Sequence, residues 1–214
     1  MPKYIFTGKI DALAIGDIPD AKENRLVDEI IVTRAGIAGD RHGGEYMKSK
    51  LWRQPYLPQG TEIVNLSSLN MTSTPELKDI ATSMEIKEIQ PGWLSENIVI
   101  SELTGLNEHE NKKISLTQIP AGARFVFSKN NPEDSVVLLN MMLNPPCGIP
   151  GRNIQRYFPD KPNLGTKFKI AAQGKRGLIL TVEKEGIIKV GDEFKIYIPD
   201  EVTEGWENFL NIKS

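Results

Sequence analysis

Arg176-Gly177-Leu178-Ile179-Leu180-Thr181-Val182 is a run of strand-forming residues behind an Arg-Gly step, and Gly186-Ile187-Ile188-Lys189-Val190-Gly191-Asp192-Glu193 follows shortly after it. Aliphatic and β-branched side chains favour extended backbone, whereas a Gly-Asp pair favours a tight turn. We therefore predict a hairpin in this stretch, with its second turn at Gly191-Asp192. The same pattern recurs along the chain, and it decides the fold class.

Short strands that alternate with turn residues occupy most of the sequence. Period-two patterning and strong β-formers mark eight segments: Tyr4 to Ile10, Glu29 to Val32, Glu62 to Leu66, Asn97 to Ile100, Arg124 to Phe127, Ser135 to Leu139, Leu178 to Val182 and Glu193 to Ile198. Clusters of Gly, Pro and Asn separate these segments. The pattern predicts a mainly β protein, built as a barrel or a sandwich.

A few helices are predicted beside the strands. The clearest starts at Thr74-Pro75, where Thr74 is the expected N-cap and proline takes the first helical position. A shorter helix is expected from Asn153 to Phe158. The tail after Pro199 has apolar residues at helical spacing, which are Trp206, Phe209 and Leu210. This spacing predicts docking on the protein's own core, and a contact within a homodimer is the alternative.

Composition and charge favour one globular domain. With 214 residues, 39% of them hydrophobic and 25% charged, the chain can bury one core under a charged surface. No repeat or linker divides it, so we predict a single domain over 1–214, with the barrel over about 4–198 and a helical tail over about 199–214. The formal charge of −2 argues against nucleic acid or a membrane as partner. The apolar runs are shorter than the ~20 residues of a membrane span. The N-terminus lacks a signal-peptide pattern, which predicts a cytoplasmic protein.

A glycine-rich loop is the first candidate binding element. Gly36-Ile37-Ala38-Gly39-Asp40-Arg41-His42-Gly43-Gly44 combines four glycines with a carboxylate, a guanidinium and an imidazole. Glycines let backbone N–H groups approach a ligand, and an arginine fork suits a phosphate or a carboxylate. The spacing differs from the dinucleotide-binding and P-loop motifs. We interpret the segment as an anion-binding loop, and a simple turn with a surface ion pair is the alternative. Arg176 is a second candidate anion ligand.

Cys147 is the one cysteine of the chain, so it cannot form an internal disulfide. It lies in Asn144-Pro145-Pro146-Cys147-Gly148-Ile149-Pro150-Gly151-Arg152, an irregular loop behind a strand, where a rigid scaffold often presents functional groups. Free cysteines are often buried as small apolar residues, which is the alternative. Nearby Arg152 and Arg156 favour a thiolate, the form that binds metal or attacks sulfur.

Other catalytic classes lack their residues. No G-x-S-x-G segment is present, which argues against a serine hydrolase. His109 lies in a polar run and is predicted to be solvated at the surface. Two distant histidines and one cysteine do not supply a structural zinc site. A metal with one protein ligand and the rest from a cofactor stays open.

Taken in order, five segments resemble the MOSC family, named for the C-terminal domain of molybdenum cofactor sulfurase. The family shows a G-D-x-H-G loop, a P-G-x-x-G-E-N-[IL] turn, a P-x-C step, an R-G strand and a G-x-[IV]-x-x-G-D turn. The matching segments are Gly39 to Gly43, Pro91 to Ile98, Pro146-Cys147, Arg176-Gly177 and Gly186 to Asp192. Ser95 stands where the family has glycine, and the turn is altered if that position requires a positive φ.

The resemblance implies a closed, distorted β-barrel and a link to the molybdenum cofactor (molybdopterin), a pterin with a phosphate and a dithiolene-bound metal. It implies that Cys147 either binds molybdenum or carries activated sulfur, because soft sulfur suits both roles. It assigns Arg41, His42 and Arg176 to the phosphate and pterin, with Asp40 and Asn97 orienting them. Pyridoxal-phosphate sulfurases are associated with the family as partner domains, so pyridoxal phosphate is expected only on a separate protein.

Three functional hypotheses follow. The first is a molybdenum-dependent reductase of N-hydroxylated small molecules that takes electrons from a separate redox protein. The second is a non-enzymatic carrier that holds a persulfide on Cys147 for cofactor sulfuration. The third is a ligand-binding barrel in which Cys147 is structural. The first two use the same thiolate and the same anion-binding groups, so the sequence does not separate them.

Overall fold

Strands make up most of the regular structure in the computed structural model, which describes residues 4–18, 23–51 and 53–210. The strands are β1 (Tyr4–Ile15), β2 (Arg25–Val27), β3 (Glu29–Thr33), β4 (Gly36–Ile37), β5 (Tyr46–Lys48), β6 (Glu62–Val64), β7 (Leu69–Ser73), β8 (Ile98–Ile100), β9 (Thr104–Gly105), β10 (Arg124–Phe127), β11 (Val136–Leu143), β12 (Leu178–Lys184), β13 (Gly186–Lys189) and β14 (Glu193–Tyr197). The α-helices are α1 (Thr74–Ser83), α2 (Gly148–Tyr157), α3 (Leu164–Ala171) and α4 (Asp200–Leu210).

Within the described ranges, seven strands close into a barrel. Their order around it is β1, β14, β10, β11, β12, β7 and β8, and β8 pairs back with β1. Strands β7 and β8 are parallel and are connected through α1, whereas the other neighbours are antiparallel. Closure joins the two ends of the fold, with Lys9 opposite Glu193. The prediction of a mainly β protein with a closed barrel is confirmed.

Alternating side chains fill the barrel. In β10, Phe125 and Phe127 are fully buried, while Arg124 and Val126 are partly exposed. Phe194 of β14 lies between these two rings, with centroid distances of 5.6 and 5.3 Å. A period-two sequence produces this arrangement because successive side chains of a strand point to opposite faces.

Helices α1, α2 and α3 form a second apolar layer on the outside of the barrel. Helix α1 begins directly after its N-cap residue Ser73, whose hydroxyl accepts a hydrogen bond from the backbone N–H of Glu76. Helices α2 and α3 cross at Gly151 and Gly165, where an added Cβ on Gly151 would lie 2.7 Å from the Cα of Gly165. Only glycine permits so close a contact. The layer therefore fixes the beginning of α2, and with it Cys147, at one end of the barrel.

Several local predictions need correction. The prediction that β12 and β13 form a hairpin is wrong, because β13 pairs with β3, and β12 pairs with β11 and β7. The turn before Asp192 is present, but it connects strands of different sheets. Helix α1 is capped by Ser73 and not by Thr74, and α2 begins at Gly148, ahead of the expected Asn153. Helix α3 and strand β7 were not predicted.

The C-terminal helix docks partly as expected. Trp206 is 6% exposed, donates a hydrogen bond from Nε1 to the carbonyl of Gln118 at 2.7 Å and contacts Phe6 edge-on. Phe209, expected to dock as well, is 79% exposed because it lies on the outer side of α4. The side chain of Leu210 and residues 211–214 lie outside the described residues.

His109 corrects another expectation. It is buried, with 2% of its side chain exposed, and its Nε2 lies 3.1 Å from Oε1 of Glu207. Its ring also stacks on Phe6. The polar neighbours of His109 suggested a surface position, but α4 covers it from the far end of the chain. No helix among the described residues is long and apolar enough to span a membrane.

Candidate functional site

Cys147 lies between β11 and α2, at the N-cap position of the helix, and it is exposed. The loop before it is held by the backbone N–H of Asn144, which donates to the carbonyl of Gly177 at 2.9 Å. Gly177 has φ +81, and an added Cβ would lie 1.9 Å from the carbonyl oxygen of Met71. The Arg-Gly step thus requires glycine, which lets β12 pass close to β7 with Arg176 beside the cysteine loop.

A cavity of about 340 Å³ opens at Cys147. Its lining consists of Arg41, His42, Ser95, Cys147, Ile149, Pro150, Arg152 and Arg176. The structure therefore brings four of the six predicted site residues to one pocket. The other two, Asp40 and Asn97, are buried beneath it.

Asp40 organises the glycine-rich loop from below. Its carboxylate accepts hydrogen bonds from the backbone N–H of Gly16 at 2.7 Å, from the backbone N–H of His42 at 2.8 Å and from Nδ2 of Asn97 at 2.9 Å. Nδ1 of His42 lies 3.1 Å from the same carboxylate. Burial by itself raises the pKa of Asp40, but the hydrogen bonds from His42 and Gly16 outweigh it, so the pKa lies below its ordinary value. Asp40 thus orients His42, and Asn97 in turn holds the carboxylate of Asp40.

Arg41 is held at one end and free to bind at the other. Its Nη2 donates to Oδ1 of Asn24 at 2.7 Å. Its Nη1 is buried and has no hydrogen-bond partner within the described residues. Gly16 leaves room for this guanidinium, because an added Cβ would lie 2.3 Å from Nη1. A buried N–H without an acceptor costs about 1–3 kcal/mol, which an oxyanion in the pocket would offset.

Arg176 has the same character. Its Nη2 donates to the carbonyl of Leu94 at 2.9 Å, while its buried Nε has no partner within the described residues. Burial lowers the pKa of Arg176, and the charges of Cys147 and Glu96 oppose that shift. Arg176 is therefore close enough to the sulfur for their charges to interact.

The turn before β8 also contributes to the pocket lining, through Ser95. Ser95 has φ +62, in the left-handed region, so the position does require the conformation that glycine adopts most easily. The buried carboxyl of Glu96 accepts from the backbone N–H of Gly92 at 2.7 Å and of Leu94 at 2.9 Å. Burial raises the pKa of Glu96. These bonds fix the carbonyl of Leu94 that anchors Arg176.

An aromatic stack ties this turn to the cysteine helix. The rings of Trp93 and Tyr157 lie 3.8 Å apart at 9°, and Nδ2 of Asn153 donates to the carbonyl of Trp93 at 3.3 Å. The hydroxyl of Tyr157 donates to Glu23 at 2.7 Å. Cys147 and Ser95, which are distant in sequence, therefore belong to one connected wall.

Sequence reasoning missed some supporting residues. Asn24, which holds Arg41, lies in a segment without a motif, and nothing in the sequence marks it. Glu96 was part of the recognised turn, but its burial is a tertiary property. Arg152 was considered for its effect on the thiol, and it also lines the pocket.

The donor set bears on a metal or cofactor. No group of three or more His, Cys, Asp or Glu side chains able to hold a metal occurs among the described residues. A metal at Cys147 would therefore take most of its ligands from a cofactor. The exposed thiol and the two buried guanidinium N–H groups fit a ligand that brings both a metal and an oxyanion.

Known proteins resemble this chain in sequence and fold. A family model described as the MOSC domain matches residues 41–195. The chain is similar to the "putative metal-sulfur cluster biosynthesis proteins YuaD" of Bacillus subtilis (strain 168), with 32% identity over 191 residues, covering 89% of this chain and 91% of the relative. The crystal structure of the YUAD protein from Bacillus subtilis matches with a TM-score of 0.79 and 32% identity, covering 94% of this chain and 100% of that chain. YiiM from Escherichia coli, at 14% identity and a TM-score of 0.53 over 90% of this chain and 70% of its own, shares the fold.

Proposed function

Because this chain belongs to the MOSC domain family, we propose that it binds the molybdenum cofactor at Cys147 and reduces N-hydroxylated small molecules. The observation that carries the proposal is the pocket itself, where an exposed thiol faces two guanidinium groups with buried, unpaired N–H groups. The name of the Bacillus subtilis relative, which concerns metal-sulfur cluster biosynthesis, supports metal and sulfur chemistry in this group of proteins.

Each pocket residue has a part in holding the cofactor. The sulfur of Cys147 would be the protein ligand to molybdenum, because soft thiolates bind such metals well. Arg41 and Arg176 would bind the phosphate through the N–H groups that are unpaired now. His42, oriented by Asp40, would contact the pterin. The bound cofactor would supply a metal that cycles between oxidation states.

The overall reaction needs electrons from elsewhere. Two electrons and two protons convert an N-hydroxyl compound into the amine and water, with cleavage of the N–O bond. The chain has one cysteine and so cannot supply two electrons from an internal dithiol. We therefore expect a separate redox protein as donor, and we expect the cytoplasm, where thiols stay reduced, as the setting.

The test is cofactor content. The protein is purified from a host that makes the cofactor, and molybdenum is measured by elemental analysis and pterin by fluorescence. We expect both in the wild type, with loss of molybdenum in Cys147→Ser. Leu143→Ser is the matched control, because Leu143 is also exposed in the segment before the loop and does not line the pocket. Reduction of an N-hydroxylated base with a chemical electron donor should follow the metal content.

Another result would overturn this function. If the wild type carries neither molybdenum nor pterin but releases labile sulfur from Cys147, the protein is a persulfide carrier that serves cofactor sulfuration on another protein. If Cys147→Ser keeps its full metal content, the sulfur is not the ligand.

A further inference from the structure

Two cations beside the cysteine loop have no role in the cofactor site proposed above. Arg152 of α2 and Lys169 of α3 are both exposed, and neither has a hydrogen bond or ion pair with any described residue. Their side chains end beside Gly148, which directly follows Cys147. A Cβ added to Gly148 would lie 3.1 Å from Nη1 of Arg152 and 3.9 Å from Nζ of Lys169.

The neighbouring lysines behave differently. Lys167 lies 3.5 Å from a carboxylate oxygen of Glu85, and Lys175 lies 3.7 Å from one of Asp79. Lys169 instead extends toward the beginning of α2, where Arg152 already stands. Both cationic nitrogens lie close to the same Cβ position, at 3.1 and 3.9 Å, so their like charges repel each other. No carboxylate among the described residues pairs with either of them. An anion bound between them would remove the repulsion.

The glycine at position 148 leaves room for both cations. Gly148 has no positive φ, so its conformation does not require glycine. Because Gly148 has no side chain, both cations can lie close to its Cα. A Cβ there would also lie 3.3 Å from Cε of Lys169. The close crossing of α2 and α3 at Gly151 sets the distance between the two helices. The packing therefore places the two residues that carry these cations on neighbouring helices.

We propose that Arg152 and Lys169 form an anion subsite that binds the acidic group, a phosphate or a carboxylate, of the molecule that reacts at Cys147. This inference rests on the proposed function and names its substrate class. The subsite is distinct from Arg41 and Arg176, whose unpaired N–H groups are buried, whereas Arg152 and Lys169 are exposed. It lies beside Gly148, the residue that directly follows the exposed Cys147.

The substrate test uses a matched pair of probes, benzamidoxime and 4-carboxybenzamidoxime, which differ by one negative charge. The wild type should favour the carboxylated probe, and the double variant Arg152→Gln, Lys169→Gln should lose roughly tenfold more in kcat/KM for that probe than for the uncharged one. Gly148→Ala keeps both charges and requires their side chains to shift by only a few tenths of an ångström, so it should show a smaller selective loss than the double variant. Lys167→Gln, on the same helix, removes a charge from outside the subsite and should change neither rate.

A binding measurement separates this inference from the proposed function. Inorganic phosphate is titrated calorimetrically into the purified protein, and the double variant should bind it more weakly than Lys167→Gln does. This readout stands even if neither probe is reduced. Equal phosphate binding and equal probe preference in the double variant would overturn the subsite. Loss of molybdenum and pterin from the double variant would also overturn it, because the two cations would then hold the cofactor.

Discussion

Replacement of Ser95 by glycine and by alanine tests the turn that the pocket is built on. Ser95 has φ +62, a conformation that costs a residue with a Cβ about 1–2 kcal/mol. Both variants remove the hydroxyl, so the difference between them isolates the backbone. Alanine gains about 0.4–1 kcal/mol over glycine through the unfolded chain. The sum leaves glycine more stable than alanine by about 1 kcal/mol.

The measurement is thermal and urea unfolding of the two variants side by side. For a chain of this size, about 1 kcal/mol corresponds to roughly 2–4 °C in Tm. The control is the same pair at Lys78, an exposed position inside α1. There the order should reverse, with alanine more stable by about 1 kcal/mol. If alanine equals or exceeds glycine at position 95, the turn does not hold the left-handed conformation and the reasoning fails.

Three other substitutions probe the supports of the site and the fold. Gly16→Ala should lower the pterin fluorescence of the purified protein, because the added Cβ would lie 2.3 Å from Nη1 of Arg41 and 2.9 Å from Oδ1 of Asn24 and so displace both side chains. Loss of the hydrogen bond between them should cost about 1 kcal/mol in urea unfolding. The pKa of Asp40 is lowered on folding, so its carboxylate stabilises the fold above the unfolded pKa and this contribution is lost as the pH falls through the folded pKa. Asp40→Asn should therefore cost about 2 kcal/mol of unfolding free energy at neutral pH. Urea unfolding across the acidic range should also show a smaller loss of stability with falling pH than in the wild type. An unchanged dependence of stability on pH would contradict the stabilising role of the Asp40 carboxylate. Trp206→Ala should cost about 3 kcal/mol, seen as a lower Tm, because it removes a buried ring and its hydrogen bond to the Gln118 carbonyl; a change below 1 kcal/mol, roughly, would mean that α4 does not stabilise the barrel.

Local alternation was enough to find most strands. The prediction for Arg124 to Phe127 matches β10 residue for residue, because each inward phenylalanine is followed by a residue of the opposite face. Strand β7 was missed since its sequence, Leu69 to Ser73, mixes polar and apolar residues that are nearly all buried. The partner of β13 was also beyond local reasoning, because pairing between distant strands leaves no mark in a short window.

The site divides in a similar way. Arg41, His42, Cys147 and Arg176 stand in segments whose glycines and prolines mark special backbone, and the structure brings all four to one pocket. Their supports come from packing instead. Neither Asn24 nor Lys169 belongs to a motif, and the place of each depends on how separate elements meet. The burial of His109 by α4 is a further case in which context along the chain was misleading.

Barrel closure between β1 and β14 also bears on the order of events in the cell. The first strand of the fold has to wait for one of the last segments to leave the ribosome before its edge is paired. The residues that line the pocket come from stretches spread between these ends, from Arg41 to Arg176, so the pocket is complete only when these stretches have folded together. Under the proposed function, cofactor loading follows completion of the barrel. A truncated product that lacks β14 would leave two strand edges open to aggregation.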